Sequence, residues 1–183
     1  ELQESMERVV MGPERKTRVI SPKEKRSIAY HEAGHAILHH ILEHANPVHK
    51  VTIVPRGRAG GFVMSLPDEE QMLVSREEFE DQIVAAMGGR AAEDIVFNQL
   101  TTGASNDLQQ ATRMARAMVT QFGMSAKLGP RSYGSGSGGS VFLGREIGEQ
   151  RDYSEHYAEE IDNEVTGILQ GAYDRALKIL GDN

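Results

Sequence analysis

The apolar residues of this chain recur at helical spacing along most of its length and alternate in only one short region. Leu2, Met6, Val9 and Val10 keep intervals of three and four until Gly12-Pro13, which predicts a first helix followed by a linker to residue 20. Ser21-Pro22-Lys23-Glu24 reads as a helix start, with Ser21 as cap, Pro22 in the first turn and Glu24 closing a capping box. Ile28, His31, His35, Leu38 and Leu42 then share one face, and the helix is expected to run to about His44, with Pro47 beyond it. Residues 48–55 and 62–67 are β-branched and partly alternating, and 56–61 supplies a Gly-rich turn between them, so a small antiparallel hairpin is expected.

Ser75 and Glu78 form a second capping box. Phe79, Ile83, Met87, Ala91 and Ile95 continue from it as a stripe, predicting one helix to about Leu100. Gly88-Gly89 falls in its middle, where two glycines cost roughly 2 kcal/mol relative to alanine. Close approach of another backbone is one reason to tolerate that cost. Residues 101–107 read as a loop into a helix marked by Leu108, Ala111, Ala115, Met118 and Phe122 and stopped by Gly123. Residues 134–139, GSGSGG, are a low-complexity loop with no chemistry. Ile161, Val165, Ile168, Ala172, Ala176 and Ile179 mark a last helix over roughly 154–180. The expected fold is mainly α, with a small antiparallel β-hairpin, and residues 1–183 form one domain.

Composition narrows the chemistry. The 183 residues contain no cysteine, which excludes disulfides, thiolate metal ligands and a cysteine nucleophile. A net charge of −7 and the absence of Trp argue against nucleic acid as a partner. No apolar run is long enough to span a membrane. The chain opens with Glu1, inside a polar helical pattern, so it is expected to be a piece of a longer protein, and the absence of an anchor or targeting segment here says little.

The candidate chemistry lies in YHEAGHAILHH, residues 30–40. His31 and His35 stand one helical turn apart, with Cβ atoms roughly 5–6 Å from each other. Two imidazoles so placed can converge on one zinc ion at roughly 2.0–2.1 Å. Glu32 projects beside them, suited to hold a water rather than the metal. Histidines and a glutamate on a core-facing stripe need polar partners. The competing reading is a hydrogen-bonded His pair or a structural metal in a non-catalytic helical interaction module.

A catalytic zinc needs a third protein ligand and an open position. Leu38 and Ile41 stand where the metzincin extension requires Gly and His. The expected hairpin after this helix carries no glutamate of the thermolysin type. Glu93 and Asp107 are the remaining candidates. Asp107 sits at a helix start, which favours a negative charge by roughly 0.3–1 kcal/mol; that preference is modest and leaves Glu93 open. The second strand, with Gly60, Gly61, Phe62, Val63, Met64 and Ser65, can be read as an edge that pairs with an extended peptide, or equally as an ordinary hairpin strand.

MERVVMGPERKTRVIS, AYHEAGHA, PVHKVTIVPRGRAGGFVMSLP, GGRAAEDIVF and TTGASNDLQQATRMARAMVTQFGMS occur in one order over nearly the whole chain, followed by LGP and VFLGRE. In these segments the chain resembles the peptidase domain of the FtsH family, membrane-anchored AAA+ zinc proteases. The resemblance implies a zinc endopeptidase acting on polypeptides, with Zn²⁺ bound by His31, His35 and Asp107 and with Glu32 as the catalytic residue. Glu93 matches a family glutamate near the site and is given the role of orienting a ligand histidine. The resemblance further implies a homo-hexamer, a membrane anchor before this segment and an ATPase module to which residues 1–20 would connect. It places this domain in the cytoplasm of a bacterium or in an organelle compartment. No G-x-x-x-x-G-K-[ST] occurs here, so ATP would act only through that other module. GSGSGG departs from the more acidic loop of the family.

Overall fold

A computed structural model of the chain describes residue 9 and residues 20–56, 60–66, 72–134 and 152–183. The N-terminal helix and linker expected over 1–20, the tip of the hairpin turn and the Gly/Ser stretch of 134–139 fall almost wholly outside the described residues.

Helix α1 spans Pro22–Ile41. The Ser21 hydroxyl accepts the Glu24 N–H while the Ser21 N–H donates to the Glu24 carboxylate, both at 3.2 Å. The helix stops short of His44 because Leu42 turns extended, at φ −74° and ψ 127°, and buries its side chain. Strands β1 (Val48–Thr52) and β2 (Phe62–Ser65) pair antiparallel, both shorter than expected. Their register places Thr52 opposite Phe62 and Lys50 opposite Met64, then shifts so that Val48 faces Ser65, leaving His49 as the extra residue of a bulge. Alternation buries Phe62 and Met64 and leaves Val63 and Ser65 half-buried.

The single helix expected over 75–100 is two. Helix α2 spans Arg76–Ala86 behind the Ser75–Glu78 capping box, and α3 spans Gly88–Phe97. The break falls at Met87, at φ −78° and ψ −8°. It lies beside the crossing of α3 over α1, where the backbones touch: a Cβ on Gly34 would come 2.3 Å from the Gly88 carbonyl oxygen. The break also changes the buried face. Met87, Ala91, Ala92 and Glu93 are buried, but Ile95, assigned to the stripe, is exposed.

Helix α3 ends on Asn98, which takes the left-handed conformation at φ 48°. A 3-10 turn, Thr102–Ala104, leads into α4, Ser105–Thr120, so the expected loop of 101–107 is partly helical and Asp107 lies in the first turn of α4. Phe122 falls beyond the end of α4, half exposed, with its ring 5.5 Å from that of Phe79. Gly123 then turns the chain at φ +61°. Helix α5 spans Glu155–Gly181.

Leu38, Ile83, Val84, Met118, Val119 and Ile161 are fully buried and join α1, α2, α4 and α5 in one core. Buried Asp81 ties three parts together, accepting from the His44 N–H at 3.0 Å and from Arg175 on α5 at 2.6 Å. Among the described residues no helix is long and apolar enough to cross a membrane. Helix α1 thus has α3 crossing it at Gly34 and the hairpin alongside, with the start of α4 facing its histidines.

Candidate metal centre

His31 and His35 emerge from successive turns of α1, with ring centroids 4.8 Å apart and Nε2 atoms 3.2 Å apart. The Asp107 Oδ2 atom lies 3.3 Å from His31 Nε2 and 3.6 Å from His35 Nε2. Two residues of α1 and one of α4 thus bring one potential ligand atom each to a common point, all within 4.8 Å of one another.

The other ring nitrogens set the tautomers. His31 Nδ1 lies 2.8 Å from Glu93 Oε1, and His35 Nδ1 lies 2.8 Å from the Ala85 carbonyl oxygen. Both partners are acceptors, so each Nδ1 carries the hydrogen and each Nε2 presents its lone pair to the shared point. Two lone pairs and a carboxylate facing one another call for a cation between them. A tetrahedral zinc with bonds of about 2.0–2.1 Å separates its ligand atoms by roughly 3.3–3.4 Å. The observed separations of 3.2, 3.3 and 3.6 Å fit that requirement.

Electrostatics agree with the geometry. Burial opposes a charge on His31, but hydrogen bonds to Asp107 and Glu93 outweigh it and raise its pKa above the ordinary value. Burial likewise opposes the Asp107 carboxylate, yet His31 and His35, which hydrogen-bond to it whenever Nε2 carries a proton, hold it well below the usual carboxylate range. Asp107 is therefore an anion at neutral pH, as a metal ligand must be.

Glu32 does not belong to this converging set. It is buried beside the hairpin, close enough to Gly61 that a Cβ there would meet Glu32 Oε1 at 2.8 Å. Burial raises its pKa, and the two histidines partly offset the effect. Glu93 and Asp107, left open by the residue pattern, fall on opposite sides of the His31 ring: Glu93 at Nδ1, Asp107 at Nε2. The second Glu93 oxygen accepts the Thr101 N–H at 3.2 Å.

Two glycines matter here in ways the residue pattern left unassigned. A Cβ on Gly89 would come within 2.3–2.5 Å of three His31 ring atoms, so the imidazole occupies the space that a side chain would take. The doubled glycine in the middle of a predicted helix was the available signal, but it did not name the contact. Gly61 makes the same kind of room for Glu32.

The centre lies in an open cleft of about 1340 Å³. Gly60, Gly61, Phe62, Val63 and Ser65 line it, whereas Met64 does not and is buried. Among the described residues β2 pairs only with β1. The open side of Gly60 faces Ile28, and that of Gly61 faces Glu32 and the Thr52 carbonyl, so both glycines fit the chain's own groups. His39, the next histidine along α1, stands apart from the centre, with Nδ1 2.9 Å from the Asn46 carbonyl oxygen, and burial lowers its pKa.

Residues 18–183 match the family model described as peptidase family M41. The chain is 50% identical over 184 residues to ATP-dependent zinc metalloprotease FtsH 2 of Petrotoga mobilis, an alignment covering 100% of this chain and 29% of that protein. It is 55% identical over 181 residues to ATP-dependent zinc metalloprotease FtsH of Kosmotoga olearia, covering 98% of this chain and 28% of the relative. The protein of the same name from Bacillus subtilis is 49% identical over 183 residues, covering 100% of this chain and 29% of the relative. The chain therefore spans less than a third of the length of these curated relatives.

Proposed function

The chain belongs to peptidase family M41, and from that premise we propose that it is the zinc-dependent endopeptidase part of a longer ATP-dependent protease. The observation that carries this reading is the convergence of His31 Nε2, His35 Nε2 and Asp107 Oδ2 on one point beside a buried acid, Glu32, that does not join them. His31, His35 and Asp107 hold the metal in this proposal. Zinc, when bound, supplies Lewis-acid polarisation of the scissile carbonyl and makes water a better nucleophile near neutral pH.

The chain's own groups do the rest. Glu32 accepts the proton of the attacking water and returns it to the departing amine. Its burial raises its pKa, which brings its basicity nearer the working pH and suits both halves of that transfer. The Ala85 carbonyl and the Glu93 carboxylate keep each Nδ1 protonated, so each Nε2 stays available. The β2 edge takes an extended polypeptide by backbone pairing, which makes few demands on its sequence. Such a site suits unfolded or membrane-protein substrates delivered by an ATPase module. The complete protein in this reading is a membrane-anchored homo-hexamer.

Zinc content and casein cleavage, measured with and without a chelator, test the proposal. One zinc per chain and a cleavage that the chelator removes and added zinc restores are expected. A chain that binds no zinc, or that cleaves equally well in chelator, would contradict it.

A further inference from the structure

We propose that Thr101 is a positioning residue for the metal centre, setting the path along which the chain delivers Asp107 to the two histidines. The inference rests on the reading of His31, His35 and Asp107 as ligands. Two of those residues share α1, so their spacing is fixed by the helix itself. The third arrives on α4, and its placement depends on the connector that leaves α3 at Asn98 and enters α4 at Ser105.

Thr101 fixes that connector through its backbone N–H and its hydroxyl. Its backbone N–H donates to Glu93 Oε2 at 3.2 Å, while Glu93 Oε1 holds the Nδ1 of His31 at 2.8 Å. One buried carboxylate thus grips both a ligand histidine and the segment that carries the third ligand. The Thr101 hydroxyl oxygen accepts the Gly103 N–H at 3.0 Å and caps the 3-10 turn that opens α4. The fit around this cap is close: a Cβ on Gly103 would lie 3.1 Å from Thr101 Oγ1 and 3.4 Å from Glu93 Oε1. Ala104, the last residue of the turn, is buried and leads directly into α4, so a change in the cap is passed to the first turn of that helix, where Asp107 sits. Thr101 itself is exposed, so its side chain supports the path of the connector rather than the core.

The test compares Thr101→Val, which keeps the shape and the backbone N–H but loses the acceptor, with Thr101→Ser, which keeps the backbone N–H and the acceptor. Cobalt(II) is titrated into the metal-free 183-residue chain, and the affinity is read from its visible absorption. Groups that orient metal ligands typically change affinity by roughly 10- to 100-fold when removed. Thr101→Val is expected to weaken cobalt binding by about tenfold and to alter the absorption intensity, with Thr101→Ser close to wild type. The metal-free melting temperature of Thr101→Val is expected to fall by only about 2–4 °C, the effect of a lost cap, with Thr101→Ser near wild type. Equal affinity in Thr101→Val and wild type would overturn the inference while leaving the ligand assignment standing. A loss shared by Thr101→Ser, or one accompanied by a much larger fall in the metal-free melting temperature, would also overturn it. A wild-type chain that binds no cobalt would remove the ligand reading on which it rests.

Discussion

Gly89 lies flat against the imidazole of His31, so near that a side-chain carbon there would stand 2.3 Å from Cε1 and 2.4 Å from Nε2. The ring of a proposed ligand is thus positioned by a missing side chain on a neighbouring helix as well as by its hydrogen bond to Glu93.

Gly89→Ala is therefore expected to push His31 out of line. Overpacking of this kind costs about 1–3 kcal/mol. The substitution favours helix formation at an ordinary site, so a fall in zinc affinity of more than about tenfold would be traceable to the ring. Zinc titration of the purified variant is the check, and unchanged affinity would contradict the account.

Gly34→Ala acts one turn away by another route. Its Cβ would collide with the Gly88 carbonyl oxygen at 2.3 Å and with Ala92 Cβ at 2.7 Å, forcing α1 and α3 apart. A loss of about 1–3 kcal/mol is expected, seen as a lower midpoint in chemical denaturation. A midpoint equal to wild type would show that the helices do not cross at this closeness.

Glu32→Gln separates proton transfer from metal binding. The amide preserves the shape beside Gly61 but cannot take a proton from water. Zinc content is expected to stay at wild-type level while cleavage falls by about 10²- to 10⁴-fold. Near-full cleavage would remove Glu32 from the role proposed for it.

The residue pattern carried the helical architecture and the HExxH spacing because both are local: capping boxes at Ser21 and Ser75 and apolar intervals of three and four need no tertiary context. It did not show that the helix expected over 75–100 divides at Met87. That break lies at the contact of Gly88 with Gly34, a relation between helices that are distant in sequence. The same reason explains why Ile95 was assigned to the buried stripe and is exposed. Two of the proposed ligand positions lie within one helix and are visible as a spacing, but the side of His31 on which Asp107 or Glu93 falls depends on how α3 and α4 fold back, and spacing carries no such information.

The pH dependence of zinc binding follows from the groups around His31. In the metal-free chain its pKa is raised above 6.5 by Asp107 and Glu93 acting against burial. Protonation at Nε2 blocks the atom that would bind the metal, so affinity is expected to fall as pH drops through that raised value. Asp107 stays ionised over this range and adds no slope, since its pKa lies far lower. Folding without metal has the opposite sign: the stabilising contribution of protonated His31 is full below pH 6.5 and fades as pH rises through the raised pKa. Glu93→Gln removes one of the raising partners and is expected to move the zinc-binding midpoint to lower pH. Affinities measured by competition across about pH 5–9 test this, and a midpoint that does not move would contradict the role given to Glu93.

The central claim is that three side chains share one metal and leave a position open for reaction. A crystal structure of the zinc-loaded chain, with the metal located by its anomalous scattering, tests this most directly. The account expects a single strong site bonded to His31 Nε2, His35 Nε2 and the Asp107 carboxylate, with Glu93 remaining on His31 Nδ1. Zinc bonded to Glu93 in place of Asp107, a fourth protein ligand closing the site, or no zinc between the two histidines would contradict it.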